Sequence, residues 1–410
     1  MTANTIVSIT NSSNLNNTIS VVCTRPPLVP GELPHINEID ERELLDNPGE
    51  HRCSECGMKL VLENRYVPIE LLGGGGFGRT FIVNDLKRPI DLETDIIQNL
   101  EDTEQYVLKQ FHPRTPLSNS VLDIAIRLFR TEARSLEKLK HDQIPSFYNY
   151  FSFSPSSDLR IGSVEPQRLL YIVEEYIPGQ NLAEKYFKDT QNFGEKEIRD
   201  ILSQLLPVLE YIHKKGIKHR DIKPPNIICD SDGKLHLIDF GAVKDKVKSA
   251  EEGVSEQILV NENSTQIATL GYSPPEQQLC HQIYPSSDIY SLAATCVSLL
   301  IKKTGLELEQ SIRETTWNER VDLDESLVKV LDKMLAYNHS DRYQAAEEVI
   351  QALKEINPPD LPTDVPNPPE NDTQENIPET DLINNSNKKS KNVFIPIALI
   401  ALVLGGLGIW

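Results

Sequence analysis

Residues 217–241 constrain this chain more than any other stretch: I-K-H-R-D-I-K-P-P-N-I-I-C-D-S-D-G-K-L-H-L-I-D-F-G. Two short apolar runs, residues 227–229 and 235–238, flank the turn formed by Asp230, Ser231, Asp232 and Gly233, so they read as a small β-hairpin. The expectation is a hairpin with Asn226 at one end and Asp239 at the other, and Asp221 on the turn before it. A carboxylate, an amide and a second carboxylate facing one cleft can hold Mg²⁺ on a phosphate, because hard cations take oxygen ligands. Asp221 is then free to accept a proton from a hydroxyl.

His219, Arg220 and Asp221, with Asn226 five positions after the Asp, match the pattern H-R-D-x-x-x-x-N. Asp239, Phe240 and Gly241 match D-F-G. In this order and at this separation, the stretch resembles the catalytic loop and D-F-G segment of protein kinases. The resemblance implies an α+β, bilobal protein-kinase fold, with a small β-rich lobe over a larger helical one. It implies ATP and Mg²⁺ as cofactors, Asn226 and Asp239 as the magnesium ligands, and Asp221 as the catalytic base. Lys223 is the variant seen in serine/threonine-specific kinases, where it supports the γ-phosphate.

The phosphates need a cradle, and residues 66–83 supply a candidate. A strand begins at Tyr66 and runs into Gly73, Gly74, Gly75, Gly76, Phe77 and Gly78, followed by Arg79, Thr80 and Phe81. Glycine lets backbone N–H groups approach phosphate oxygens closely. Gly73, Gly75 and Gly78 fit G-x-G-x-x-G, which dinucleotide-binding folds share. There the loop opens a helix, whereas residues 80–83 read as a second strand. After a polar, acidic insertion at about residues 84–105, a strand resumes at Tyr106 and carries Lys109, the counterpart of the kinase lysine that contacts the α and β phosphates. Glu132, on a helix expected over about 122–139, resembles the glutamate that pairs with that lysine. Residues 169–173 form a continuous apolar strand. After it Glu175 and Ile177 resemble the hinge that offers backbone groups to adenine, and Glu174 takes the position at the back of the pocket, where an apolar residue is more usual.

Further on, residues 181–188 and 195–215 read as helices. Residues 269–276, T-L-G-Y-S-P-P-E, resemble the end of an activation segment. Thr269 there is similar to the residue that hydrogen-bonds near the catalytic Asp. Ser249, Ser255, Ser264 and Thr265 are candidate phosphorylation sites. Asp288 resembles the helix aspartate that anchors the catalytic loop, and Arg342 the partner of Glu276. The resemblance covers about residues 66–356, and the C-x-x-C-G lead-in at Cys53–Gly57 with the run G-G-G-G-F-G-R-T-F most resembles the cyanobacterial serine/threonine kinases. A small-molecule phosphotransferase would lack Thr269 with Pro275 and Glu276, and a pseudokinase would have lost Lys109, Asp221 or Asp239. All are present.

Composition bounds the remainder. A formal charge of −20 over 410 residues argues against nucleic acid as a partner class, since phosphates need Lys and Arg. No apolar segment follows Met1, so no signal peptide is expected, and the 6 cysteines read as thiols or metal ligands. Residues 1–22, rich in Asn, Ser and Thr, read as disordered. Residues 23–64 contain Cys23, then Cys53 and Cys56 in a C-x-x-C-G turn, a common half of a zinc site. Cys23, His35 and His51 are candidates for its other ligands. Cys229, Cys280 and Cys296 lack metal spacing and read as packing residues.

Residues 357–392 form an expected disordered, Pro-rich linker, acidic until Lys388, Lys389 and Lys391. Residues 393–410 carry no charge and would span roughly 27 Å as a helix, close to the ~30 Å hydrocarbon core. The expectation is a single-pass, C-terminal transmembrane helix. The lysines would flank its cytoplasmic side, so the kinase domain would be cytoplasmic.

Overall fold

The computed structural model describes residues 18–27, 31–75, 78–87, 100, 103–113, 118–154, 168–187, 193–240, 270–279, 282–319 and 321–356. The linker, the apolar segment 393–410 and residues 241–269, on which several expectations fall, lie outside the described residues. Among the described residues no single helix is long and apolar enough to cross a membrane.

The described residues begin with a two-stranded antiparallel ribbon, β1 (Thr18–Val22) and β2 (Ile36–Asp40). This corrects the expectation of disorder through residue 22. The Asn/Ser/Thr bias of the first residues masks a β-branched run, T-I-S-V-V, whose Val21 and Val22 are buried. Asp40 then caps helix α1 (Glu41–Asp46), accepting from the Glu43 N–H at 3.0 Å.

Five strands form an antiparallel sheet: β3 (Tyr66–Gly75), β4 (Gly78–Asp85), β5 (Gln105–Phe111), β6 (Phe147–Phe153) and β7 (Leu169–Glu175), in the order β3-β4-β5-β7-β6. Helix α2 (Asn119–Glu137) lies between β5 and β6 in sequence. Side chains alternate across a strand, and β7 shows what each face meets. Leu170 and Ile172 pack with Ala125, Leu128, Phe129 and Ala133 of α2. Leu169, Tyr171 and Val173 point the other way and share a core with Val21, Val22, Leu44, Met58, Leu60 and Leu62. The amino-terminal segment is therefore not a separate module. It roofs the outer face of the sheet, which is why β7 is apolar on both sides.

The helical part follows: β8 (Gln180–Asn181), α3 (Leu182–Phe187), α4 (Glu195–Lys214), β9 (Ile227–Cys229), β10 (Leu235–Leu237), α5 (Pro275–Leu279), α6 (Pro285–Ile301), α7 (Gly305–Arg313), α8 (Glu325–Met334) and α9 (Ala346–Ile356). In α4 the buried Ile198, Ile201, Leu202, Leu205, Leu206, Leu209 and Ile212 recur at i, i+3 and i+4, the stripe of an amphipathic helix. Helix α6 is buried on all sides from Ser286 to Leu299, so its one acid, Asp288, needs internal partners.

Candidate active site

Asp288 supplies the first level of the site. It is fully buried on the first turn of α6. Its Oδ1 accepts the Arg220 backbone N–H at 2.9 Å, and its Oδ2 accepts that of His219 at 2.9 Å. His213 Nε2 lies 2.8 Å from the same Oδ2. Gln277 donates to the Arg220 carbonyl at 2.8 Å. Together these hold Arg220 at φ 73°, a left-handed conformation that costs a non-glycine residue roughly 1 kcal/mol or more. Nearby, Arg342 grips Glu276 through two bonds of 2.8 and 2.9 Å, with Ser287 donating to the same carboxylate at 2.7 Å.

His219 links this loop to residues 238–240. Its Nε2 donates to the Ile238 carbonyl at 2.9 Å, and its Nδ1 accepts the Asp221 N–H at 3.3 Å. Those two bonds require the neutral ring protonated at Nε2. Burial pushes the His219 pKa below the usual histidine value, against the pull of Asp288 and Asp221. The ring packs on Phe240 with centroids 4.6 Å apart.

Asp221, Lys223 and Asn226 form one buried group. Lys223 Nζ is 3.0 Å from Asp221 Oδ2. Asn226 Nδ2 donates to the Asp221 backbone carbonyl at 2.8 Å and to its Oδ2 at 3.0 Å. This leaves Oδ1 of Asn226 as the atom that suits a hard cation. The hairpin differs from expectation in one respect. β9 and β10 pair antiparallel, with Leu237 opposite Ile227, and the Ile238 N–H donates to the Asn226 carbonyl at 3.0 Å. Asn226 and Asp239 therefore leave the same open end of the hairpin, not opposite ends. Asp239 also sits at positive φ, 59°.

Lys109 reaches the site from β5. Its Nζ is 2.6 Å from Asp239 Oδ1 and 2.8 Å from Glu174 Oε2. Burial acts to lower the lysine pKa, but the charges of Asp239, Glu174 and Glu132 outweigh it and raise it, so the ammonium stays charged. Glu174 is 2% exposed, and burial raises its carboxyl in spite of Lys109. The ion pair with Glu174 is absent from the sequence reading. The register could have suggested it, because Glu174 and Lys109 lie on the same face of adjacent strands, with Lys109 opposite Ile172.

The glycine hairpin packs on β5 through close backbone contact. A Cβ on Gly78 would lie 2.2 Å from the Gln110 carbonyl of β5, so only glycine fits there. Gly73, Gly74 and Gly75 pair with Thr80, Arg79 and Gly78. Gly76, Phe77 and Thr269 lie outside the described residues. At the end of β7, Glu175 is fixed to Ser146 by two bonds of 2.9 Å, and Ile177 just beyond it is buried.

A second cluster lies at the outer face of the sheet. The ligand atoms of Cys23, His35, Cys53 and Cys56 lie within 4.8 Å of one another. Cys23 Sγ is 3.6 Å from Cys56 Sγ, and His35 Nδ1 is 3.3 Å from Cys53 Sγ. The β1–β2 ribbon juxtaposes two of them, since the Cys23 N–H donates to the His35 carbonyl at 2.9 Å. The turn at Gly57, φ 75°, brings Cys53 and Cys56 together. Burial raises the Cys23 thiol. In Cys53 burial acts the same way, but the backbone N–H groups of Cys56 and Glu55, helped by Asn37 and His35, bring the thiol down to about 7. Of the two candidate histidines, His35 joins the cluster. His51 instead sits 3.2 Å from the Glu43 carbonyl. Cys229 and Cys296 are buried in the helical core, and Cys280 is outside the described residues.

Residues 95–353 match the family model described as the protein kinase domain. Serine/threonine-protein kinase F of Synechocystis sp. is 38% identical over 341 residues, 82% of this chain and 63% of that protein. Serine/threonine-protein kinase PknA of Nostoc sp. is 35% identical over 305 residues, 72% of this chain and 48% of that one. The chain thus spans between about half and two-thirds of these relatives' length. The solved structure described as PpkA-294 apo form has the same fold, with a TM-score of 0.54 at 20% identity, covering 71% of this chain and 97% of that one. A two-lobed arrangement built around an anchored H-R-D loop and a D-F-G lysine partner agrees with these matches: the chain belongs to the protein kinase family.

Proposed function

We propose that the chain is a serine/threonine protein kinase, which transfers the γ-phosphoryl group of Mg-ATP to Ser and Thr hydroxyls of proteins. One observation carries the reading. Asp221, Asn226, Lys109 and Asp239 are drawn into a single site, with His219 fixing the loop of the first two to the segment of the last.

Gly73, Gly74, Gly75, Gly76, Phe77 and Gly78 cover the phosphates, and Glu175 and Ile177 frame the adenine. Lys109 holds the α and β phosphates, steadied by the field of Glu132 and by the contact with Glu174. Asn226 Oδ1 and the Asp239 carboxylate, whose side chain is 45% exposed, are a donor set that suits a hard cation. Magnesium bound there would neutralise charge on the phosphates. Asp221 orients the acceptor hydroxyl and takes its proton, and Lys223 steadies both Asp221 and the γ-phosphate. Thr269 would bond near Asp221. Positioning and charge stabilisation supply most of the rate. Full-length protein given Mg-ATP should label itself or a generic protein substrate on Ser or Thr. A chain that binds ATP but labels no protein would overturn the assignment.

Two extensions belong to the reading. Residues 393–410 anchor the protein as a single-pass helix, with the kinase domain on the cytoplasmic side. This rests on the uncharged run and the lysines before it. The full chain should sediment with membranes, and a chain cut after residue 356 should not; if both stay in the supernatant, the anchor is wrong. Cys23, Cys53 and Cys56, joined by His35, hold a structural zinc ion. Separations of 3.3 and 3.6 Å suit the edges of a zinc tetrahedron, ~3.8 Å for ~2.3 Å Zn–S bonds.

A further inference from the structure

The zinc centre lies on the opposite face of the sheet from the nucleotide, yet the residues between the two are continuous. Residues 23–25 run from the cluster across β5, β7 and the root of the glycine hairpin. Gln110 donates to the Thr24 carbonyl at 2.6 Å and to the Tyr171 hydroxyl at 2.9 Å, and Thr24 Oγ1 lies 3.3 Å from that hydroxyl. Arg79 donates to the Arg25 carbonyl at 2.7 Å. Arg79 directly follows Gly78, and Gln110 directly follows Lys109. Because successive strand residues face opposite ways, each neighbour of a phosphate-facing residue is held from behind by this segment.

Charge gives the metal a reason to matter here. Arg25 and Arg79 are 6% and 7% exposed. Arg25 pairs with Glu32, whereas among the described residues no carboxylate lies within pairing distance of Arg79. Zinc with three thiolates and a neutral imidazole carries a net charge of −1, which would balance the second buried guanidinium. Three protonated thiols would not. The cluster also has the outer shell expected around such a centre. The Arg25 N–H points to Cys23 Sγ at 3.4 Å, and Asn37 Nδ2 to Cys53 Sγ at 3.6 Å. With Nδ1 of His35 on the metal, its Nε2 lies 3.3 Å from Arg25 Nη2 and 3.6 Å from the Glu55 carboxylate.

We infer that the Cys23–His35–Cys53–Cys56 centre, loaded with zinc, braces the nucleotide-gripping hairpin and the Lys109 strand from the outer face of the sheet, through Arg79 and Gln110. This rests on the zinc reading above. Arg79 is a positioning residue in this scheme: it touches no nucleotide and acts through the register of the hairpin.

The test uses the full chain, with zinc measured by plasma mass spectrometry and nucleotide affinity by titration with a fluorescent ATP analogue. One zinc per chain is expected. A zinc-selective chelator, with magnesium in excess, should weaken nucleotide binding. Arg79→Met should keep its zinc, yet lose about fivefold to tenfold in nucleotide affinity, the effect of one buried hydrogen bond. The KM for ATP should rise by the same factor while kcat holds, and Arg79→Lys should restore part of the loss. If no zinc copurifies or can be added back, the zinc reading and this inference both fall. If zinc is bound but neither its removal nor Arg79→Met changes nucleotide affinity or KM, the brace is wrong and the zinc reading stands.

Discussion

Asp221→Ala is expected to lower phosphoryl transfer about 10³- to 10⁴-fold while leaving ATP affinity within a few-fold of the parent. The carboxylate is 5% exposed and held by Lys223 at 3.0 Å and Asn226 at 3.0 Å through the same oxygen, Oδ2. Both contacts hold the carboxylate in one orientation on the loop. The backbone of the loop is anchored independently by Asp288 and His219, so removing the side chain should not move the loop. Phosphate incorporation into a generic protein substrate, compared with nucleotide titration on the same samples, separates chemistry from binding. Equal labelling by both proteins would remove Asp221 from the reaction.

Asp288→Ala is expected to cost about 3–5 kcal/mol of stability, the cost of breaking a buried charged pair on one side only. Three donors lose their acceptor at once: the backbone N–H groups of His219 and Arg220, and His213. Activity should fall too, because the left-handed Arg220 loses what holds it. The same carboxylate makes stability depend on pH. Burial acts to raise its pKa, but the bond from His213, its charge and the Arg220 N–H outweigh burial and lower it. The folded form therefore holds this proton less readily than the unfolded chain. Its contribution is complete above the ordinary aspartate range and is lost as pH falls through and below it. Urea unfolding at pH 7 and in acid should show the parent losing stability that Asp288→Asn does not lose. A variant as stable as the parent at neutral pH would show that α6 does not anchor the loop.

Much of the candidate site was legible because its residues sit close together in sequence. Asp221, Lys223 and Asn226 lie on one short loop, whose last three residues, Pro224–Asn226, form a 3₁₀ turn leading into β9. The existence of α2, α4, β4 and β5 follows from apolar periods that the chain must bury, whereas α2 begins at Asn119, not near residue 122, and β4 extends over Gly78–Asp85. Other features involve partners that local patterns do not specify. The open-end placement of Asn226 and Asp239 follows from antiparallel pairing, which brings together residues that read as separated along the chain. The Glu174–Lys109 contact joins residues 65 positions apart, from Lys109 to Glu174, and depends on β5 and β7 being neighbours in the sheet. His213 reaches Asp288 across 75 positions.

By itself the sequence determined which side chains are available to the candidate site, and which segments become strands and helices, because spacing and residue type act over a few residues. The apolar run of β7 even required cover on both faces. Only the tertiary structure decided what supplies that cover. The first strand and the cysteine turn fold back over the sheet, choose His35 over His51, and place Arg25 against Arg79. Burial and charge balance are properties of groups that meet in space, and no period in the chain encodes that meeting.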